Sequence, residues 1–200
     1  MSLFIPVAWF EGWVLPLLLL INIISGVILV YKNKNVFRVL MTLLILSTSL
    51  VLLEIISPSI NTNLKYIKLI AYFAFYAIVT IEIINQIWKT KVVSKNVILG
   101  LMAGYISLGL LAFFLCLSIE VMHPNSFSGL VYDISANADL LDQLMYFSYI
   151  TLMSIGYGDI LPITATAQKA TIFIGLIGQF YLVVLTAIVV GKYINQDTSS

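Results

Sequence analysis

Ser154-Ile155-Gly156-Tyr157-Gly158-Asp159, preceded by Thr151-Leu152-Met153 and followed by Ile160-Leu161-Pro162, is the stretch on which the reading of this chain turns. Glycine stands at alternate positions, 156 and 158. A left-handed backbone costs an ordinary residue about 1–2 kcal/mol, and glycine escapes that cost. A loop whose dihedrals alternate in hand turns successive carbonyl oxygens to one side, and these two glycines permit it. Ile155 and Tyr157 between them would then point the other way and pack against a scaffold. Apolar segments lie on both sides of the loop, Asp139 to Leu152 before it and Ala167 to Ile194 after it.

Composition places the loop in a membrane. The chain has 200 residues, 61% hydrophobic and 10% charged, where a soluble domain is about 45–50% apolar and about 25% charged. A net charge of +1 gives no footprint for nucleic acid, and no long basic run marks a headgroup patch. Lipid is the expected surrounding partner. The single cysteine, Cys116, lies in an apolar segment, which excludes a disulfide framework, and the single histidine, His123, leaves no metal cluster or triad. No nucleophile, base or metal constellation points to an enzyme. The first charge is Glu11 and the first lysine Lys32, so no basic leader region precedes the first apolar span, which is expected to be retained.

About 20 apolar residues cross a bilayer. Five segments qualify: Trp13 to Tyr31, Val36 to Ile56, Tyr66 to Trp88, Val97 to Met122 and Ala167 to Ile194. The fifth is about 40 Å long at helical rise and must tilt to fit a core of about 30 Å. Asp139 to Leu152 is too short to cross and is expected to be a re-entrant helix. Non-helical backbone at its end is tolerated at membrane depth only where protein or water surrounds it. The expected fold is therefore all-α and integral to the membrane, with five transmembrane helices plus a re-entrant helix and loop. Residues 1–96 form a three-helix N-terminal region, and 97–200 form the domain that carries the loop.

From Val97 to Ile194 the order is long span, polar loop (His123 to Ala138), short helix, glycine-alternating loop, long span. With the run Ser154 to Asp159, this resembles the pore domain of the potassium-channel superfamily over about half the chain, small bacterial members above all. In that family a column of backbone carbonyls replaces the hydration shell of the ion. The resemblance implies that Ser154, Ile155, Gly156, Tyr157 and Gly158 coordinate K+ through their carbonyls. Ser154 closes the column with a hydroxyl where the family usually has threonine. Asp159, Tyr146, Phe147 and Thr151 are the implied supports of this filter, the two aromatics as a cuff bonded to Tyr157 or Asp159. Some bacterial members carry a glutamate one residue before the position of Thr151; Ile150 stands there, so that carboxylate pair cannot form.

Asp139 and Asp142 fall in the first turn expected for the short helix, where carboxylates favour the positive dipole end. Gly178, nineteen residues after Asp159, aligns with the family's hinge glycine. A mid-helix glycine costs about 1 kcal/mol against alanine, so it asks for a reason. Either it bends to open an inner gate, or Gly175-x-x-Gly178 is a face for close helix packing. By the same alignment Gln179, Leu182, Thr186 and Val190 share a helical face that lines the cavity, with Gln179 either below the filter or bonded between subunits. One chain supplies one strand of a four-stranded ring, which implies a homotetramer. No cofactor is expected beyond permeant K+.

Filters of this kind open to the extracellular side, which puts Met122 and Ala167 outside and Ile194 inside. Lys32, Lys34, Arg38, Lys89, Lys91 and Lys95 then fall in the cytoplasm, as the positive-inside rule asks, while Lys65, Lys68 and Lys169 lie outside. The expected topology is N-terminus out and C-terminus in, in a plasma or bacterial inner membrane. Steep voltage sensing needs several basic residues on one helix, since each charge contributes about 2.3 kcal/mol per 100 mV; the chain has one arginine, Arg38. Glu82 reads either as an interfacial carboxylate or as a sensing residue. Glu54 and Asn22 raise the same question. Trp9, Trp13 and Trp88 read as interface anchors, and His123 as a loop residue or a sensor of external pH. The sequence ends six residues after Ile194, and no cytoplasmic gating ring is expected from it. The implied activity is passive, selective K+ conduction. A weakly selective cation channel and a non-conducting or transport-associated relative of the same fold are the alternatives.

Overall fold

Apolar runs flanked by lysine and tryptophan become long helices because a span with no outside partner for its backbone must bond within itself. The computed structural model describes residues 37–43, 45, 49, 62–90, 93–131 and 137–197. Among these, helix α1 is Thr62–Lys89, α2 is Lys95–Met122, and a short helix α3 is Asn137–Leu152. Two-residue strands β1 (Phe127–Ser128) and β2 (Leu161–Pro162) flank α3 in sequence. The last helix is α4 (Ala165–Phe180), a π turn (Tyr181–Leu185) and α5 (Thr186–Asp197), running on as one rod. Residues 37–43 are helical as well, within the expected second span. The expected first span, Trp9, Trp13, Asn22, Lys32, Lys34, Glu54 and Lys91 lie outside the described residues.

Three helical segments among the described residues are long and apolar enough to cross a membrane: Leu69–Lys89, Val97–Met122 and Ala165–Asn195. They coincide with the third, fourth and fifth expected spans to within a few residues. At 16 residues, α3 is about 24 Å long at helical rise. It begins at Asn137, two residues earlier than expected, so Asp142 belongs to the second turn and not the first. The dipole argument for that carboxylate weakens accordingly, because the effect fades beyond one turn.

Helix α2 is apolar on all sides, as a helix buried by protein and lipid together must be. One side takes α1: Phe114 stacks on Tyr72 at 5.3 Å and on Tyr76 at 5.2 Å between ring centroids. Deeper in the same contact the buried hydroxyls of Thr80 and Ser107 bond to each other at 3.0 Å. The other side takes α3, where the Tyr149 ring lies against Gly109 and its hydroxyl donates to the Ile106 carbonyl at 2.8 Å. The core thus runs from α1 through α2 to α3, and Cys116, Leu144 and Leu152 are among its most buried side chains.

The loop beyond α2 is organised by a residue the sequence reading passed over. Glu120, buried near the end of α2, accepts the backbone N–H of Asn125 at 2.7 Å, Ser126 at 2.9 Å and Phe127 at 3.2 Å. A carboxylate inside an apolar span is costly unless its oxygens are satisfied, and here it turns the chain back over the helix end. The turn delivers β1 to β2, antiparallel, with Phe127 opposite Pro162 and Ser128 opposite Leu161. This ribbon ties the segment before α3 to the segment after the glycine-alternating loop. Gln143 on α3 adds a second tie, accepting from Val131 N at 2.8 Å and donating to Val131 O at 3.0 Å.

Candidate functional site

The loop leaves α3 by folding its first amides back on the helix end. Met153 N donates to Tyr149 O at 2.9 Å, Ser154 N to Thr151 O at 3.0 Å, and Ile155 N to Ile150 O at 2.8 Å. Orphan carbonyls of a helix C-terminus are satisfied in this way. At Ile150 the buried side chain packs and the backbone oxygen holds the loop.

Beyond that point the backbone alternates. Positive φ occurs at Ser154 (57°), Gly156 (55°) and Gly158 (83°), with Ile155 and Tyr157 between them. The two glycines were expected to carry the left-handed positions. Ser154 is a third, and a side chain there bears the cost that glycine avoids. Its compensation is local: besides the bond from its own N–H, its Oγ accepts from Gln179 Nε2 on α4 at 2.7 Å. Residues 153–159 are all exposed. Ile155 is 46% exposed and Tyr157 71% exposed, so the rest of the chain covers about half of Ile155 and little of Tyr157. The loop forms one wall of something and not an enclosure.

Its supports divide into two groups. Tyr146 donates its phenol to the Asp159 carboxylate, and that bond, with the negative charge beside it, holds the phenol above its ordinary pKa. Phe147 is buried and meets Phe127 of β1 edge-on, centroids 5.1 Å apart. The aromatic pair therefore braces the loop on one side and the ribbon on the other. Gly129, at φ 84°, lets the ribbon's own turn lie against the carbonyl oxygen of Asp159, where a Cβ would collide. Thr151 is half-buried and contributes its carbonyl to Ser154.

The end of α3 is clamped from both long helices. Gly178 of α4 is buried against the Leu152 carbonyl oxygen, with no room for a Cβ, and Tyr105 of α2 donates its hydroxyl to the same oxygen at 3.3 Å. Three residues past Gly178 the helix widens into the π turn, a feature often found where a helix has work to do. There Tyr181 donates to Leu101 O on α2 at 2.7 Å, in the notch left by Gly104. Gln179, Leu182, Thr186 and Val190 are all exposed. Each follows directly on a buried residue (Gly178, Tyr181, Leu185 and Val189), and the π turn lies along this stretch. Further along, Lys192 donates to Trp88 O at 2.8 Å and Thr90 O at 2.7 Å, capping the end of α1.

Of the residues outside the loop, Glu82 is half-buried on α1 and His123 exposed beyond α2. Glu120, Gly129, Gln143 and Lys192 are the contributors missed. Only Glu120 carried a signal, an acid within an apolar span.

Residues 111–195 match a family model described as ion channel. No curated protein and no solved structure matches the chain. The match begins in α2, takes in the ribbon, α3, the alternating loop and α4, and ends within α5. Several apolar helices together with that match make this a multi-pass membrane protein with a role in ion transport. Residues 111–195 are thus similar to an ion-channel family, and the match supports a pore domain of the potassium-channel type over that part of the chain.

Proposed function

We propose that the chain is one subunit of a homotetrameric, potassium-selective channel that conducts K+ passively down its gradient. The observation that carries this reading is the alternation of left-handed φ at Ser154, Gly156 and Gly158 in a wholly exposed loop. Alternation of that kind gives carbonyl oxygens a common direction, and exposure leaves them for an ion and for three further copies of the loop. Four strands around an axis supply rings of oxygens that stand in for water around K+. The carbonyls of Ser154, Ile155, Gly156, Tyr157 and Gly158 are the proposed ligands, with the Ser154 hydroxyl at the inner end and Asp159, Tyr146, Phe147 and Thr151 as supports.

Helix α3 is then re-entrant, and α4 with α5 forms the inner wall, with Gln179, Leu182, Thr186 and Val190 towards the cavity and Gly178 as a point of bending. The loop opens outward, the N-terminus lies outside and the C-terminus inside the cell membrane. A single arginine in 200 residues argues against steep voltage gating. K+ is the permeant ligand, and no cofactor enters the scheme.

The test is the reversal potential of the purified chain in a planar bilayer, potassium on one side and sodium on the other. A reversal near the potassium equilibrium value supports the proposal. Current reversing near zero favours a weakly selective cation pore, for which the shorter hydroxyl residue at 154 is the motive. Absence of ion flux under every condition favours a non-conducting relative.

A further inference from the structure

We infer that Gln179 is a positioning residue for the innermost ion site, fixing the Ser154 hydroxyl through a hydrogen bond that does the work of threonine's missing methyl. The inference rests on the channel reading and deepens it.

The argument starts from the side chain at 154. Threonine is branched at Cβ, so its hydroxyl has a restricted set of χ1 rotamers. Serine has no branch, and three staggered wells are open to it. An oxygen that must replace a hydration-shell oxygen is effective only if it already points at the ion, because orientation completed beforehand costs nothing at the moment of binding. A free serine rotor lacks that preparation. In this protein the rotor is not free: Gln179 Nε2 donates to Ser154 Oγ at 2.7 Å, across 25 residues of sequence.

Hydroxyl stereochemistry makes the bond useful. The Ser154 oxygen has two acceptor lone pairs and one proton. With one lone pair taken by the amide, the second lone pair and the proton share the two remaining positions, and a cation takes the one that carries the lone pair. The donor is held in place by its neighbour in sequence. Gly178, one residue earlier, seats α4 directly on the Leu152 carbonyl, two residues before Ser154. The close approach of helix to loop and the reach of the amide are therefore parts of one contact. The bond to Ser154 uses one of the two N–H groups of the Gln179 amide.

The experiment compares four full-length chains in planar bilayers: wild type, Gln179→Met, Ser154→Thr and the double variant. The readout is block of K+ current by barium added from the inner side, since a divalent ion close to potassium in size reports the oxygens of the innermost site. Methionine keeps the length of glutamine and lacks the donor. Gln179→Met is expected to weaken block about tenfold, with a hydrogen bond lost from each of four copies. The same substitution placed in Ser154→Thr is expected to change block less than about twofold, because the methyl now restricts the rotor. Block unchanged by Gln179→Met overturns the inference, and so does an equal loss in both backgrounds, which would place the amide's effect elsewhere. Should Gln179→Met not assemble, Gln179→Asn, one methylene too short to reach, takes its place with the same two outcomes. A wild-type chain that carries no current overturns the channel reading itself and the inference with it; a conducting wild type with insensitive variants overturns the inference alone.

Discussion

Gly178 of α4 lies directly against the carbonyl oxygen of Leu152, the last residue of α3. The contact joins the end of the short helix to the long helix behind it, and it gives the glycine a packing role whatever its part in bending. The two roles predict opposite signs for alanine. At an unconstrained helix position Gly→Ala gains up to about 1 kcal/mol in propensity. A methyl forced against backbone costs about 1–3 kcal/mol instead. Gly178→Ala is expected to lower the unfolding midpoint in detergent micelles, and Gly175→Ala, with nothing within 4 Å of its place for a Cβ, to raise it or leave it unchanged.

Glu120 holds three consecutive backbone amides, those of Asn125, Ser126 and Phe127. Glu120→Gln replaces one acceptor oxygen with a donor that faces donors. Leaving buried N–H groups unsatisfied costs about 1–3 kcal/mol each. The expected result is faster hydrogen exchange at residues 125–127 and a less stable ribbon between β1 and β2. Glu120→Asp, too short to reach, is expected to behave alike.

The bond from Tyr146 to Asp159 has a pH signature. The phenol is the donor, and its pKa is raised by that bond and by the neighbouring negative charge. A raised folded-state value means that the contribution is complete below the ordinary phenol pKa of about 10 and is lost as pH rises through the folded value. The contact therefore persists throughout the neutral range and is lost in strong alkali. Tyr146→Phe should remove one residue's share of the tyrosinate absorbance that appears above the ordinary phenol range in wild type.

Lys192 of α5 caps the end of α1 through Trp88 O and Thr90 O, with Ile87 O further off at 3.4 Å. A cation against the last carbonyls of a helix is worth about 0.3–1 kcal/mol, rising to about 2 kcal/mol when partly buried. Lys192→Met is expected to lower stability by about 1–2 kcal/mol on that scale and to speed hydrogen exchange at residues 86–90. Arginine at 192 keeps the charge and should recover most of the loss. Because α5 continues the proposed inner wall, the same substitution is expected to change the open probability of single channels.

Much of this was written in the order of residues. Hydropathy is a local property, so α1, α2 and the rod of α4 and α5 were legible to within a few residues, as was the brevity of α3. Gly156 and Gly158 announced the alternating backbone, because no other residue takes a left-handed conformation so cheaply. Contacts between distant segments were not legible. Nothing at Phe127 or Leu161 signals a ribbon two residues long, and nothing at Ser154 signals a third left-handed position. Nothing in the spacing from Gln179 to Val190 signals the π turn at Tyr181–Leu185. Sequence by itself determined which segments are helical and where the chain can alternate in hand, since both follow from side chains acting on their own backbone. Only the tertiary structure decided what Glu120, Gly129, Gln179 and Lys192 hold. Each acts on a group that other parts of the chain bring within reach, and a pattern of neighbours in sequence carries no distance between helices.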